Sequence, residues 1–293
     1  MEFRRGIIAG IAAYVLWGGS PIYWNAIREV PPAEVLAWRV ILAVLILLFV
    51  LFARRQFGAF RRVVGRPKTL ALGVAAGCLL TVNWGLFLWA VTSGHIVEVS
   101  LGYYINPLMS VALGVLILRE QLSFGTRLAV GIAALGVVVM TFAGQQFPWI
   151  SLGLAVSFGL YGLLKKQPDA APPLEGLLIE TTTVVVPLGV YLMILIAGNQ
   201  SVAMESRELW TLLPWSGVMT VAPLLLFGFA VQRIPLSTVG MLQYLAPTLQ
   251  LIIGVYVYNE SVSDAEMFGF ASIWLALGIF AFDTIRASRA TRA

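Results

Sequence analysis

The chain has 293 residues, of which 59% are apolar and only 11% are charged, and its formal net charge is +5. Soluble domains carry about 25% charged residues, and a domain of this size in water could neither bury so much apolar surface nor cover itself with so few charges. The composition excludes a soluble enzyme, a disordered chain and a nucleic-acid-binding protein, and it indicates that most of the chain lies in lipid.

Ten apolar segments approach the length of about 20 residues that a membrane-spanning helix needs. They cover residues 6–26, 33–53, 69–92, 98–118, 124–143, 148–164, 174–197, 210–231, 235–257 and 264–284. Strand-type alternation is absent and lipid tolerates only helices or closed barrels, so we predict an all-α polytopic membrane protein. The sixth segment is short, and nine or eleven spans are the alternatives. Arg4 and Arg5 precede the first segment, which we predict to be a retained helix and not a signal peptide, because the apolar pattern resumes many times downstream.

The distribution of basic residues predicts the orientation, because Lys and Arg accumulate in cytoplasmic loops. With a cytoplasmic N-terminus, only Arg28 and Arg207 fall on the outer side. The inner side collects Arg4, Arg5, Arg54, Arg55, Arg61, Arg62, Arg66, Lys68, Arg119, Arg127, Lys165, Lys166, Arg233, Arg286, Arg289 and Arg292. Both termini are therefore predicted to be cytoplasmic.

An internal repeat divides the chain into two halves, predicted as residues 1–145 and 146–293. A shift of 141 residues superposes a double proline followed by a glutamate, at 31–34, on the same pattern at 172–175. A shift of 140 superposes Tyr104, Pro107, Gly114, Glu120 and Ser123 on Tyr244, Pro247, Gly254, Glu260 and Ser263. Five helices per half is an odd number, so the second half must be inverted. Inverted repeats are typical of secondary transporters, which bind substrate near the midplane between the halves.

Polar stripes run along the fourth and ninth segments. Tyr103, Asn106 and Ser110 lie at helical spacing on one face, and the shift of 140 maps Tyr103 on Gln243 and Ser110 on Gln250. Such residues line a watery cavity or hydrogen-bond neighbouring helices, and both interpretations remain open here. Pro107 and Pro247 interrupt the two stripes at equivalent points, which predicts helix breaks that act as hinges or ligand contacts, with simple packing as the alternative.

Aromatic and amide side chains well inside the spans favour a mixed pocket for small organic molecules, although ordinary core packing explains some of them equally well. The candidate cavity residues are Trp17, Asn83, Trp84, Tyr103, Asn106, Tyr161, Gln243, Tyr244 and Gln250.

Two charges lie deep inside spans, and the shift of 141 superposes them: Arg39 and Glu180. Each follows its double proline by seven residues, roughly 10 Å at 1.5 Å per residue, but from opposite faces, so they are not expected to form a simple ion pair. An intramembrane charge is a candidate for function. Arg39 suits a carboxylate and Glu180 an ammonium or a proton; structural neutralisation is the alternative.

Catalytic and metal-binding patterns are absent from the sequence. The only histidine is His95, in a predicted outer loop, and no nucleophile elbow, HExxH motif or phosphate-binding glycine loop occurs. We therefore predict no enzyme activity, no metal and no cofactor. Selectivity-filter sequences and acidic rings typical of channels are absent as well.

Longer motifs resemble one transporter family. Ala13-Tyr-Val-Leu-Trp17-Gly18 and Glu34-Val-Leu-Ala-Trp-Arg39 are similar to the EamA-type family of the drug/metabolite transporter superfamily. The runs at 93–108 and 235–250 (PLSTVGMLQYLAPTLQ in the second) resemble its RarD-like branch. The resemblance implies ten helices in two inverted five-helix repeats around a central cavity, in a bacterial inner membrane, and export of amino acids or other small metabolites and drugs. Four-helix relatives use a first-helix Glu for proton coupling, which this chain lacks, so Glu180 is the only deep substitute.

Taken together, the sequence predicts an exporter of amino acids or similar small metabolites that works by alternating access, with facilitated flux favoured over proton coupling. A multidrug or lipid-linked-sugar carrier is the alternative within transport; an intramembrane enzyme and a non-transporting scaffold are the alternatives outside it. Expected partners are a small-molecule substrate and membrane lipid, but no nucleic acid. Small residues at 131–136 permit close helix contact, either within one chain or in a homodimer.

Overall fold

Apolar helices joined by short connections make up almost all of the computed structural model, which describes residues 2–143, 148–259, 262 and 264–290. The helices are α1 Glu2–Ala26, α2 Pro32–Ala53, α3 Phe57–Val64, α4 Pro67–Thr92, α5 Ile96–Leu116, α6 Phe124–Ala143, α7 Trp149–Lys165, α8 Pro173–Ala197, α9 Arg207–Leu212, α10 Pro214–Val231, α11 Leu236–Gln243, α12 Leu245–Tyr258 and α13 Asp264–Ala290, with a short 3-10 helix at Val202–Met204. The predicted boundary between residues 145 and 146, and the repeat residues Glu260 and Ser263, lie outside the described residues.

Within the described ranges, nine helical stretches are long and apolar enough to cross a membrane, and α7 is a shorter apolar helix. The predicted all-α membrane fold with two five-span halves is confirmed. Two spans are composite: α9 and α10 form the eighth, and α11 and α12 form the ninth. The sequence did not predict α3, a short helix between the second and third spans.

Proline begins four of the helices, because its missing N–H costs nothing in the first turn and its fixed φ suits a helix start. Pro32, Pro67, Pro173 and Pro214 each occupy this position. Left-handed residues follow the ends of α2, α5 and α12: Arg55, Arg119 and Asn259 have φ values of 53°, 56° and 55°. These local signals fix where the chain turns at each membrane face.

We name the two ends of the bundle for the site that follows. The basic face carries the N-terminus and the connections 54–66, 117–123, 166–172 and 232–235. The opposite face carries the connections 27–31, 93–95 and 198–213. Because each half contains five spans, equivalent helices of the two halves cross between these faces in opposite directions.

Helices of one half pack mainly on helices of the other, so the core is shared. α5 packs on α7 and α11, α6 on α13, α1 on α10 and α12, and α2 on α8 and α10. Close approach depends on small residues: a Cβ added at Gly136 of α6 would lie 2.9 Å from the Ser272 Cβ of α13. The small residues Ala133 and Gly136 therefore serve contact within one chain, whereas Gly131 faces open space.

Candidate functional site

Arg39 projects from α2 into the membrane-spanning part of the bundle. Its guanidinium carbon lies 4.6 Å from the ring centroid of Trp84 and 5.9 Å from that of Trp24. Its Nε is buried, and no hydrogen-bond acceptor reaches it among the described residues. Ring faces attract a cation but accept no strong hydrogen bond, so Nε keeps a donor that the described residues leave unused.

Tyr103 lies across a gap from Arg39. The two side chains are close enough to interact electrostatically, yet α2 and α5 do not pack along their length in the described part of the chain. The side chain of Tyr103 is 41% exposed although it lies in the middle of a span. We call the group formed by Trp24, Arg39, Trp84 and Tyr103 the Arg39 crevice.

Glu180 occupies the position equivalent to Arg39 in the second half, and its surroundings are closed. The Lys165 ammonium donates to its Oε1 at 2.5 Å, and the Tyr161 hydroxyl donates to its Oε2 at 2.8 Å. All three side chains are buried. A void of about 10 Å³ beside the pair is large enough for about one water molecule. Both carboxylate oxygens are thus already engaged by the protein.

An aromatic cluster fills the interior between these two charges. Tyr161 stacks on Phe227 with ring centroids 5.8 Å apart, and Trp17 lies 6.0 Å from Phe158 and 5.5 Å from Tyr14. Tyr161 is fully buried and Trp17 partly so. The interior around Tyr161 is therefore packed with aromatic rings.

Helix α5 and the ninth span cross closely on the basic side of the midplane. A Cβ added at Gly240 would lie 2.6 Å from the Pro107 carbonyl oxygen, so only glycine permits this approach. The Tyr244 hydroxyl donates to the Tyr104 carbonyl at 3.3 Å. Near the crossing, the side-chain oxygens of Asn106 and Gln243 are buried without a partner in the described ranges. The crossing thus holds two amide groups with hydrogen-bonding capacity left over.

The two repeat prolines have different effects on their helices. The ninth span is broken at Tyr244, between α11 and α12 and three residues before Pro247, whereas α5 continues past Pro107. A proline leaves the carbonyl four residues earlier without its helical partner. In α1, Pro21 frees the Trp17 carbonyl in the same way. The Ser20 hydroxyl and the Gln250 amide donate to that carbonyl at 2.8 and 3.4 Å.

Asn83 joins two helices. Its amide nitrogen donates to the Leu154 carbonyl at 3.0 Å and the Ser157 hydroxyl at 2.9 Å, which ties α4 to α7. Of the predicted cavity residues, Trp84 and Tyr103 lie near Arg39, and Gln250 lies near Trp17. Three others lie at the crossing of α5 with the ninth span: Asn106, Gln243 and Tyr244. The structure places Asn83 and Tyr161 in separate helix-to-helix contacts.

Two buried or partly buried carboxylates outside the predicted set hold loops in place. Glu34 of α2 accepts from the Ser201 hydroxyl at 2.5 Å and from the backbone N–H groups of Val202 and Ala203. Glu120 accepts from the backbone N–H groups of Leu236 and Ser237 at 2.6 and 2.9 Å, and so caps α11. Both residues appear in the repeat match, which was the available signal for them.

The contact of Glu120 with α11 belongs to the basic face, and Lys166 adds a second one there. Besides Glu120 on α11, the Lys166 ammonium donates to the carbonyls of Val231 and Ile234 at the end of α10. Burial lowers the pKa of Lys166, and nearby Glu120 opposes that shift. These contacts join the connections 117–123 and 166–172 to the segment 231–237 at the basic face.

Among the described residues, no group of three or more His, Cys, Asp or Glu side chains is placed to hold a metal ion.

Comparison with known proteins places this architecture among transporters. The EamA-like transporter family matches residues 4–142 and 148–282. The protein RarD of Streptomyces exfoliatus is 39% identical over 293 residues, covering 100% of this chain and 93% of that protein. The uncharacterized transporter YojE of Bacillus subtilis is 39% identical, covering 99% and 98%. One solved structure has a TM-score of 0.72 at 16% identity, covering 94% of this chain and 96% of its own, and it supports the fold alone.

Proposed function

Because the chain belongs to the EamA-like transporter family, we propose that it exports amino acids or similar small carboxylates by alternating access. The observation that carries this proposal is the guanidinium of Arg39, which lies close to two indole rings and whose buried Nε has no hydrogen-bond partner in the described part of the chain. The setting is the inner membrane of a bacterium, with the basic face in the cytoplasm.

A carboxylate suits the Arg39 crevice better than other small groups. Guanidinium and carboxylate form strong, charge-assisted hydrogen bonds, and a cation held only by ring faces leaves those bonds unmade. The indole rings of Trp24 and Trp84 offer apolar surface to the rest of the substrate. The partly exposed Tyr103 lies near Arg39 on α5. One charged anchor in a mostly aromatic site is typical of small-molecule pockets.

We propose that transport occurs when the two halves exchange their conformations, so that the site faces first one side of the membrane and then the other. Here Glu120 and Lys166 join connections of the basic face, and Arg39 lies nearer the opposite face. Inverted repeats alternate by rocking around a site between the halves. We propose that the α5–α11 crossing acts as the pivot, with Pro107 and Pro247 as the hinges, and that Gln243 and Asn106 bind substrate as it passes.

Facilitated flux, without proton coupling, fits the surroundings of Glu180. A proton carrier must release and rebind its proton during the cycle, whereas both oxygens of Glu180 are engaged by Lys165 and Tyr161. The carboxylate is therefore proposed to be structural in this conformation.

Counterflow in liposomes tests the substrate proposal. Purified protein would be reconstituted in liposomes, and counterflow of a labelled amino acid would be compared between wild type, Arg39→Gln and Arg39→Lys. Arg28→Gln, which removes an exposed cation, is the control. The matched ligand control is the amine that corresponds to the amino acid but lacks the carboxylate. We expect flux of the amino acid only, lowered at least about tenfold by Arg39→Gln, since charged hydrogen bonds contribute about 1.5–3 kcal/mol.

Other outcomes separate the alternatives. Equal flux of the amine and the amino acid would contradict a carboxylate site and favour a multidrug carrier. Absence of flux for every substrate would favour a scaffold. Gln243→Ala is expected to slow counterflow without changing the folding stability; unchanged flux would remove Gln243 from the pathway and leave the Arg39 assignment intact.

A further inference from the structure

The connection between α2 and α4 carries a dense group of unpaired cations. Arg54, Arg55, Arg61, Arg62, Arg66 and Lys68 are all exposed. The salt bridges found among the described residues are Arg5–Glu2, Lys165–Glu180 and Arg233–Glu2, so none of the six takes part in one. The sequence contains no Asp or Glu between Glu34 and Glu98 that could neutralise them locally.

Three other cations at or near the same face have partners within the protein. Lys165 is paired with Glu180, Lys166 donates to two backbone carbonyls, and Arg233 binds Glu2 at 2.7 Å. The positive charge of the α2–α4 connection is therefore not needed to satisfy the protein itself. An external partner of negative charge would suit it.

The backbone presents this group at the level of the lipid headgroups. Arg55 adopts a left-handed φ of 53°, so α2 ends there and the chain turns into α3. Phe60 of α3 is partly buried and packs against the core, and Arg61 and Arg62 on the same helix are exposed. Phe52 and Phe57 beside them are 69% and 44% exposed. Short basic amphipathic elements with exposed aromatic residues are suited to a membrane interface.

We propose that α3 and its flanking basic residues, which we call the α3 basic patch (Arg54, Arg55, Arg61, Arg62, Arg66 and Lys68), bind the phosphate groups of anionic phospholipids. The arginine and lysine side chains are opposite in charge to the headgroups, and the exposed Phe52 and Phe57 contact the acyl chains just below. The patch lies between the basic-face ends of α2 and α4, the helices that carry Arg39 and Trp84. Bound lipid would hold those two helix ends together, a role separate from substrate binding.

Native mass spectrometry of the full-length protein tests the proposal. The probes are phosphatidylglycerol, which is anionic, and phosphatidylcholine, which is zwitterionic, each titrated at two concentrations of ammonium acetate. The test variant is Arg61→Gln/Arg62→Gln. The matched control is Arg28→Gln/Arg207→Gln, which removes the same charge from exposed positions on the opposite face.

We expect wild type to bind phosphatidylglycerol more tightly than phosphatidylcholine, with a preference that falls at high salt. The test variant should lose up to about fivefold in phosphatidylglycerol affinity per arginine removed, because each basic side chain at an anionic surface is worth about 1 kcal/mol. The control variant should keep the wild-type affinity. If the test variant fails to fold, the salt dependence and lipid preference of wild type still decide the matter.

Three results would overturn the proposal: equal affinity for the two lipids in wild type, an anionic preference that does not change with salt, or equal losses in the test and control variants. Soluble glycerol phosphate that competes fully with the lipid would also overturn it, because the site would then recognise phosphate without a membrane.

Discussion

Arg39 in α2 and Glu180 in α8 occupy equivalent positions in the two halves, but their surroundings differ. Residue 165 of α7 is equivalent to residue 24 of α1, so the neighbour of the charge is Lys165 in one half and Trp24 in the other. The first pair is a salt bridge of 2.5 Å, and the second is a cation over a ring at 5.9 Å. The repeat differs at both positions of the pair, and the result is a self-neutralised charge in one half and a charge with an unused donor in the other.

This difference assigns different roles to two similar positions. A buried ion pair whose hydrogen bonds are made has little left to offer a ligand, whereas breaking it leaves an uncompensated charge. A guanidinium held by ring faces can gain from an incoming carboxylate. The inverted repeat therefore supplies two equivalent charged positions, of which the second is neutralised by its own neighbours and the first has no ion-pair partner in the described chain.

The largest expected effect comes from breaking the closed pocket. Glu180→Leu should destabilise the protein by about 3–5 kcal/mol, because it leaves the buried Lys165 ammonium without its partner. Arg39→Met at the equivalent position should cost much less, because that guanidinium has no ion-pair partner in the described chain. Reversible unfolding in detergent measures both, and Lys165→Met/Glu180→Leu should recover most of the loss. Equal costs at the two positions would contradict the comparison.

Next is the helix crossing that closes the basic face. Gly240→Ala should cost about 1–3 kcal/mol through overpacking, since its Cβ would lie 2.6 Å from the Pro107 carbonyl oxygen. The repeat equivalent of Gly240 is Ser100, which is exposed, so Ser100→Val serves as the matched control and should change the free energy of unfolding little. Equal destabilisation by the two variants would contradict the close backbone approach at Gly240.

A smaller effect is expected from the third member of the Glu180 network. Tyr161→Phe should cost about 1.5 kcal/mol, because it removes a buried hydrogen bond to a carboxylate. Tyr14→Phe is the control: Tyr14 is equally buried, but its hydroxyl finds no partner among the described residues, so the change should be neutral or slightly stabilising. Thermal unfolding of both variants measures the difference, and identical results would remove Tyr161 from the network.

The smallest effect is expected from a proton gradient. Counterflow with and without a pH gradient should give the same flux. The sequence offers Glu180 in place of a first-helix Glu, and its carboxylate is engaged by Lys165 and Tyr161. Acid-dependent flux that is lost in Glu180→Gln would contradict facilitated transport and would assign the proton to the closed pocket.

Much of this architecture could be predicted from the sequence because hydropathy is a local property. Runs of apolar residues identify the spans, and the double prolines mark two helix starts and the repeat. The equivalence of Arg39 and Glu180 was predicted in the same way. The break at Tyr244 follows the proline signal closely, whereas α5 continues through Pro107, because packing against α7 and α11 supports it on both sides.

The partners of the charges could not be predicted so well. Lys165 was assigned to the basic loop by the rule for positive residues, although it lies four residues after Tyr161 and therefore on the same helix face. That spacing was an available signal. Trp24 gave no such signal, since an aromatic residue near a helix end is ordinary at a membrane interface.

The sequence by itself determined the solvent of this protein, the number of its spans and the inverted repeat, because each depends on residue type and order along the chain. Only the tertiary structure decided which charge is neutralised and which remains open. That outcome depends on how helices distant in sequence pack: α7 brings Lys165 to Glu180, while α1 and α4 bring only ring faces to Arg39, and the gap toward α5 supplies no carboxylate among the described residues.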